Sequence, residues 1–304
     1  MADPKTIQPE EGALVRVWSW LTETQVWTSV FRHTAPINDR NRVLVMLSNV
    51  FLHLHPVRLK KHGVRLRYTW CMGGMSFFLF LTLTFTGLLL MFYYRPTLEY
   101  AYSDIVGLRE HVPLGIMREL HRWGAHAMVI TVWLHMFRVF MTGSYKPPRE
   151  FNWNVGVIML VLTLLLSFTG YLLPWDQKGF WATKVATDIM GGTPIIGEQL
   201  KLLVLGGADY GHHTLTRFFA LHAGILPASV IALTAGHIYL FRRHGITPKK
   251  PLKGSDEFFW PEQVLKDAVA CLAVLVTVLV LHFSFEGAHL DAPADPSTSY
   301  PARP

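Results

Sequence analysis

The sequence is poor in charge. Asp, Glu, Lys and Arg make up only 16% of its 304 residues, against about 25% in an ordinary soluble domain. It is poor in cysteine too: Cys71 and Cys271 stand alone and cannot build a disulfide framework. A secretory leader is not expected, because the first 30 residues mix acids with tryptophans and show no cleavage pattern. Internal repeats and long low-complexity segments are lacking. With 51% of the residues hydrophobic, these shortages argue against a disordered chain, a fibrous one and a simple water-soluble enzyme.

What the sequence has instead is apolar residues in blocks. Residues 68–94, 151–175, 218–241 and 268–285 contain no Asp, Glu, Lys or Arg. A hydrocarbon core about 30 Å thick needs roughly 20 helical residues, so four spans follow. A fifth, residues 123–137, is short between Arg122 and Arg138. Arginines at span ends can snorkel to the headgroups, and extension to Met141 gives an adequate length. The expected fold is all-α: an integral, multi-pass membrane protein of five spans, at about 68–94, 119–141, 151–175, 217–241 and 264–285. Residues 1–67 are expected as a surface segment, 68–245 as a four-helix bundle, and 246–304 as a loop, the fifth span and a tail.

The net charge of +7 could suggest nucleic acid, but its distribution does not. Arg40, Arg42, Arg58, Lys60, Lys61, Arg65 and Arg67 precede the first span with no acid among them. Arg138, Lys146 and Arg149 fill the loop after span two, and Arg242, Arg243, Lys249, Lys250 and Lys253 follow span four. Loops on the other side mix both signs. This positive-inside bias puts the N-terminus on the cytoplasmic or equivalent side, here the n-side, and the C-terminus on the opposite p-side. Leu14, Val17, Trp18 and Leu21, and again Leu47, Val50, Phe51 and Leu54, fall at helical spacing. They fit amphipathic helices lying on the n-side surface or packed on a partner subunit.

Fifteen histidines are many, and a polar group inside a span is a functional hypothesis by default. His121 and His135 in span two are 14 apart; His222 and His237 in span four are 15 apart. Fourteen helical residues bring a side chain back to within about 40° and about 21 Å further along; fifteen give about 60°. Both spans run from p-side to n-side. His121 and His222 therefore share the p-side depth, and His135 and His237 the n-side depth. Two stacked bis-imidazole sites suit haem iron and are a poor zinc shell. The competing reading is four hydrogen-bonding bridges between helices; the matching depths argue against it. His126, about 140° from His121, is expected to face elsewhere. His282 in span five has no partner at its depth.

Gly73 and Gly87 in span one are also 14 apart, as are Gly156 and Gly170 in span three. Missing side chains would let a porphyrin approach the backbone, although glycines at helix interfaces also serve close packing. Pro227 is expected to kink span four and to absorb its extra residue.

The motifs are now specific enough to name a family. They are His121-Arg122-Trp123, His135-Met136-Phe137-Arg138-Val139, the run Thr169 to Gln177 (Thr-Gly-Tyr-Leu-Leu-Pro-Trp-Asp-Gln), and Thr214 to Phe218 before His222. Over residues 40–250 the chain resembles the N-terminal haem-binding half of cytochrome b from quinol-oxidising bc/bf complexes, and most nearly the b6 type. The resemblance implies that His121 and His222 hold a low-potential haem b and His135 and His237 a high-potential one. It implies that Tyr171, Pro174, Trp175 and Phe180 line a p-side quinol pocket. It sets Arg118 and Arg217 near p-side haem propionates, and Arg138 and Arg242 near the n-side haems or quinone. The competing reading of these arginines is ordinary span-end anchors.

Cys71 lies in Trp70-Cys71-Met72-Gly73-Gly74 at the n-side start of span one. Related complexes attach an extra c-type haem there through one thioether. The family often has Tyr where Trp70 stands. A lone Cys in a membrane helix is otherwise a small apolar residue, which is the expectation for Cys271.

The resemblance further implies two haems b, a quinol/quinone couple, a Rieske-type iron–sulfur protein, a c-type cytochrome, membrane lipids and a dimeric complex. It implies no nucleic acid and a bacterial plasma membrane or an equivalent energy-transducing one. The family's Pro-Glu-Trp-Tyr motif carries a glutamate that helps take protons from quinol. The sequence stops at Pro301-Ala302-Arg303-Pro304, where that motif would begin. A second, subunit IV-like chain is expected to supply it, so no catalytic residue is assigned on this chain. The expected function is the cytochrome b subunit of a quinol:cytochrome c (or plastocyanin-like) oxidoreductase in a respiratory or photosynthetic chain, oxidising quinol on the p-side and passing electrons through the two b haems to an n-side quinone, with proton translocation by a Q cycle. The rivals are a dihaem b anchor of a dehydrogenase or hydrogenase and, from another class, a proton-coupled transporter using intramembrane histidines.

Overall fold

The computed structural model describes residues 12–25, 27, 38–48, 55, 57–60, 69–245, 256–285 and 289–297. Val50, Phe51, Leu54, Lys61, Arg65, Arg67, Lys249, Lys250, Lys253 and residues 301–304 lie outside the described residues. The chain divides into two units, residues 1–53 and 54–304.

The first unit contains α1 (Ala13–Glu23) and α2 (Asp39–Ser48). Leu14, Val17, Trp18 and Leu21 do fall on one helix, and all four are exposed. Leu47 is in α2 and also exposed.

The second unit is built on five helices long and apolar enough to cross a membrane. The first is α3 (Met72–Leu90). A short surface helix, α4 (Ala101–His111), leads to the second, α5 (Ile116–Met141). The third is α6 (Glu150–Leu172). Two surface helices follow, α7 (Gln177–Gly191) and α8 (Gly197–Leu205). The fourth crossing is a continuous run of α9 (His212–Ala220), a π turn at Leu221–Ile225, and α10 (Leu226–His244). A short strand, Asp256–Phe258, pairs antiparallel with Arg58–Lys60 before α11 (Val264–Ser284). The surface helices α4, α7 and α8 form the connections between the crossings.

The helices pair as α3 with α5 and α6 with α10, α5 touches α6, and α11 lies against α3 and α5. This is a four-helix bundle with a fifth helix beside it. Its outside is inverted relative to a water-soluble bundle. Phe85, Leu88, Ile130, Trp133, Ile158, Val161, Val269 and Leu272 are all exposed, an apolar coat suited to lipid.

The π turn has a physical origin. Pro227 has no N–H to donate to the residue four before it, and the helix widens by one residue just ahead of it. The insertion holds His222. This is where the 15-residue interval between His222 and His237 takes up its extra residue.

At the Tyr94 end of the bundle, Arg95 pairs with Asp104 at 2.6 Å. The Arg95 guanidinium holds the Asp104 carboxyl below the usual carboxylate range. A packed core of Tyr94, Ala101, Leu172, Trp175, Phe180, Leu215 and Phe218 lies at this end. Residues 291–294 fold back over it: Gln177 N–H donates to Ala292 O at 2.8 Å, and Ala294 N–H to Trp175 O at 2.9 Å.

Candidate functional site

The four intramembrane histidines meet in two pairs. The rings of His121 and His222 have centroids 6.1 Å apart at 73°. Those of His135 and His237 are 6.5 Å apart at 72°. With nitrogen–metal bonds of about 2 Å, two imidazoles on opposite sides of one atom stand about 6 Å apart between centroids.

Each histidine lies over a glycine of a neighbouring helix. A Cβ on Gly87 would stand 3.1 Å from Cε1 of His121, and one on Gly73 3.5 Å from Cε1 of His135. On α6 the same holds for Gly170 and His222 at 2.5 Å and for Gly156 and His237 at 3.8 Å. The missing side chains therefore make room for imidazole edges. Glycines 14 apart on α3 and α6 face histidines 14 or 15 apart on α5 and the fourth crossing.

At the Tyr94 end the ring orientation is fixed chemically. Thr86 donates its hydroxyl to Thr82 O at 2.8 Å, and its oxygen is 3.0 Å from Nδ1 of His121. Thr169 does the same, donating to Leu165 O at 2.8 Å with its oxygen 3.3 Å from Nδ1 of His222. Leu166 O lies 3.0 Å from that nitrogen. Each threonine's proton is thus committed to its own helix, so Nδ1 is the donor and Nε2 keeps its lone pair. Such support orients a metal-ligating imidazole and raises its basicity. At the other end, Nδ1 of His237 lacks a hydrogen-bond partner among the described residues. Residues Thr86 and Thr169 were missed in the sequence. The signal was there: Phe-Thr-Gly occurs at 85–87 and again at 168–170, directly at the two glycines.

Each pair opens on its own cavity. The cavity of about 630 Å³ at the Tyr94 end is lined by His121, His222, Gly87, Gly170, Arg118, Tyr171 and Pro174. Arg122 places its guanidinium 4.8 Å over the Tyr171 ring, and Arg118 is paired with buried Glu119 at 2.8 Å. Trp175 and Phe180 are in the packed core rather than on this lining. Arg217 donates to Leu203 O and is outside the lining as well. His126, expected to face elsewhere, is at the edge of this same cavity, with its ring tilted on Trp123.

The cavity of about 320 Å³ at the Cys71 end is lined by His135, His237, Gly73, Gly156, Arg138 and Cys71. Arg242 is exposed and outside it. Trp70 and Cys71 both hold left-handed backbone, with φ of 53° and 50°, at about 1–2 kcal/mol each for side-chain-bearing residues. The Cys71 thiol is buried on the cavity wall. Cys271 approaches Gly74 O at 3.9 Å, as a packing residue would. His282 is buried beside Phe283, and its Nδ1 has no hydrogen-bond partner among the described residues.

Two imidazole pairs at metal-bridging distance, each over a cavity, fit a haem at each end. Residues 126–293 match the family model described as Cytochrome b(N-terminal)/b6/petB. The chain belongs to the cytochrome b N-terminal/b6 family. Among this family's members, it is 38% identical over 240 residues to a menaquinol:cytochrome c reductase cytochrome b subunit of Bacillus subtilis (strain 168), covering 77% of this chain and 98% of that one. It is 42% identical over 179 residues to cytochrome b6 of Tupiella akineta, covering 59% of this chain and 83% of that one. Its structure is similar to a chain of a hyperthermophilic respiratory Complex III. There the TM-score is 0.71 at 26% identity, covering 94% of this chain and 72% of that chain. As a cytochrome b, the chain is an integral, multi-pass membrane protein that binds b-type haems.

Proposed function

We propose that the chain is the cytochrome b subunit of a quinol:cytochrome c (or plastocyanin-like) oxidoreductase. It works with a Rieske-type iron–sulfur protein, a c-type cytochrome and a subunit IV-like chain. The observation that carries this reading is the stacking of two imidazole pairs, His121–His222 and His135–His237, with centroids 6.1 and 6.5 Å apart. The haems supply the redox chemistry. His121, His222, His135 and His237 would hold the haems, and the chain would set their spacing and insulate them.

In this reading His121 and His222 hold the low-potential haem on the p-side, and His135 and His237 the high-potential haem on the n-side. The N-terminus is on the n-side and the C-terminus on the p-side, as the basic loops suggest. Quinol is oxidised in the Tyr94-end cavity, against Tyr171 and Pro174, with Trp175 and Phe180 packed behind them. Arg118 serves p-side haem propionates and Arg138 the n-side, each lining its own cavity, whereas Arg217 and Arg242 lie outside these linings and act as span-end anchors. The glutamate that accepts quinol protons comes from a Pro-Glu-Trp-Tyr motif on the companion chain, and the complex is a dimer. Cys71 carries a further haem through a thioether. Its burial on the wall of the cavity that holds His135 and His237 supports this.

A reduced-minus-oxidised spectrum of the purified protein tests the reading. The expected result is a b-type α-band from two haems per chain. No such absorption would reject it. Membership of the cytochrome b family favours this reading over the dihaem anchor and the transporter.

A further inference from the structure

Glu119 carries a charge where the fold gives it no water. It is 2% exposed, in the first turn of α5. Its carboxylate accepts from the Arg118 guanidinium at 2.8 Å, and the Arg118 side chain is itself only 13% exposed. Burying such a pair costs about as much as its attraction returns, and an apolar pair of similar volume often serves stability better. Stability alone therefore does not account for Glu119. Two features keep it ionised. The bond to Arg118 is charge-assisted, and the N-terminus of α5 favours an anion in its first turn.

The two halves of the pair stand on different sides of α5. Arg118 lines the Tyr94-end cavity with His121 and His222, and Glu119 does not. On a helix, Arg118 lies about 60° round from His121 and Glu119 about 160°. The carboxylate thus grips from behind a guanidinium that faces the cavity. The other charged groups on this lining have different partners. Arg122 stands 4.8 Å over the Tyr171 ring. Asp176 accepts from the N–H groups of Gly179 and Asp291.

We propose that Glu119 is a positioning residue: it pins Arg118 and offsets its charge, and so lowers the potential of a haem held by His121 and His222. The proposal rests on the dihaem reading above. Oxidised iron carries one positive charge more than reduced iron. A nearby cation favours the reduced form and raises the potential, and a carboxylate that offsets the cation lowers it. The sign suits a haem that gives its electron onward to the Cys71 end. Glu119 reaches neither the cavity nor an imidazole; it acts through the arginine that does line the cavity.

Redox titration of the assembled complex in detergent, followed at the b-haem α-band, tests this. Glu119→Gln keeps the shape and drops the charge. The lower of the two midpoints is expected to rise by about 59 mV, a tenfold change in equilibrium for one electron. That is the scale of one uncompensated unit charge acting over roughly 10 Å at an effective dielectric of about 20. The upper midpoint and the haem content should stay unchanged. Glu119→Asp keeps the charge but withdraws it by one methylene, so its rise should be smaller. An unmoved or lowered midpoint in Glu119→Gln would overturn the proposal. So would equal rises in Gln and Asp, which would follow from packing rather than charge, and so would equal shifts of both haems. Should Glu119→Gln fail to assemble, a Glu119→Asp midpoint identical to the parent's would overturn it instead. Missing b-haem absorption in the parent would reject the dihaem reading itself, so the two failures are distinguishable.

Discussion

Gly170 faces His222 so closely that a single methyl group would collide with it, 2.5 Å from Cε1 of the ring. Gly156, its counterpart at the other end of α6, leaves 3.8 Å to His237. The two glycines look equivalent in sequence and are not equivalent in space. Gly170→Ala is expected to push His222 off its site, at a packing penalty of about 1–3 kcal/mol, and to remove one of two b haems. Gly156→Ala is expected to keep both. Haem-to-protein ratios from a pyridine haemochrome assay check this. Equal haem loss in the two variants would show that the contact at Gly170 relaxes freely.

Thr86→Val should leave both haems bound and change one potential. Valine has the shape of threonine but removes the hydroxyl oxygen facing Nδ1 of His121, leaving that ring its backbone bond to Leu83. The imidazole becomes a weaker base, which disfavours ferric iron and raises the midpoint potential. A hydrogen bond of ordinary strength corresponds to a rise on the order of 20–60 mV for one electron. Thr82→Val is the control, because among the described residues the Thr82 hydroxyl bonds only Phe78 O, and its backbone carbonyl still accepts from Thr86. Redox titration of the α-band should show the shift in Thr86→Val alone.

Cys71 is expected to carry haem covalently. In-gel peroxidase staining of the denatured chain should give a band that Cys71→Ala removes and Cys271→Ala leaves in place. The four histidines are untouched in both variants, so the two b haems should persist in the native spectrum. A stained band surviving Cys71→Ala would remove the thioether from this chain.

The Arg95–Asp104 pair predicts a pH dependence at the Tyr94 end. Asp104 is held below its unfolded value near 3.9, so its contribution is present at neutral pH. It is lost as pH falls through the depressed folded value. Thermal midpoints of the parent and of Asp104→Asn should therefore differ at pH 7 and converge in strong acid. A gap that widened toward acid would have the wrong sign for this pair.

The bundle and its histidine pairing were legible because both follow from helix periodicity. Intervals of 14 and 15 residues fix a face and a depth whatever surrounds them. The π turn was half legible: Pro227 and the odd interval pointed to it, although the sequence could not show that the insertion holds His222. Thr86 and Thr169 were missed because a threonine in an apolar span reads as filler that bonds its own helix, and only the facing ring gives its oxygen a second task. Trp175 and Phe180 were read as cavity residues with Tyr171 and Pro174. The turn into α7 carries both aromatics to the packed core, a rotation that motif order alone does not encode.

That turn depends on Asp176. Its Oδ1 accepts from Gly179 N–H at 2.7 Å, capping α7, and its Oδ2 accepts from Asp291 N–H at 3.2 Å. One buried carboxylate thus ties the helix after the Tyr94-end cavity to the segment crossing that end. Asp176→Ala removes both bonds, with a cap loss of about 1–2 kcal/mol, and leaves two backbone donors unsatisfied. The segment 289–297 would then be held by the Trp175 and Gln177 backbone bonds, with help from Tyr102, whose hydroxyl donates to Asp291 O at 3.0 Å. Limited proteolysis of the assembled complex should cut this segment several-fold faster in Asp176→Ala, by about fivefold or more for 1 kcal/mol of local opening. Asp176→Asn keeps an acceptor for Gly179 and should fall between Ala and parent. Haem content should be the same in all three, because Asp176 reaches none of the four imidazoles. Equal cleavage of Asp176→Ala and parent would mean that the backbone bonds alone hold the segment down.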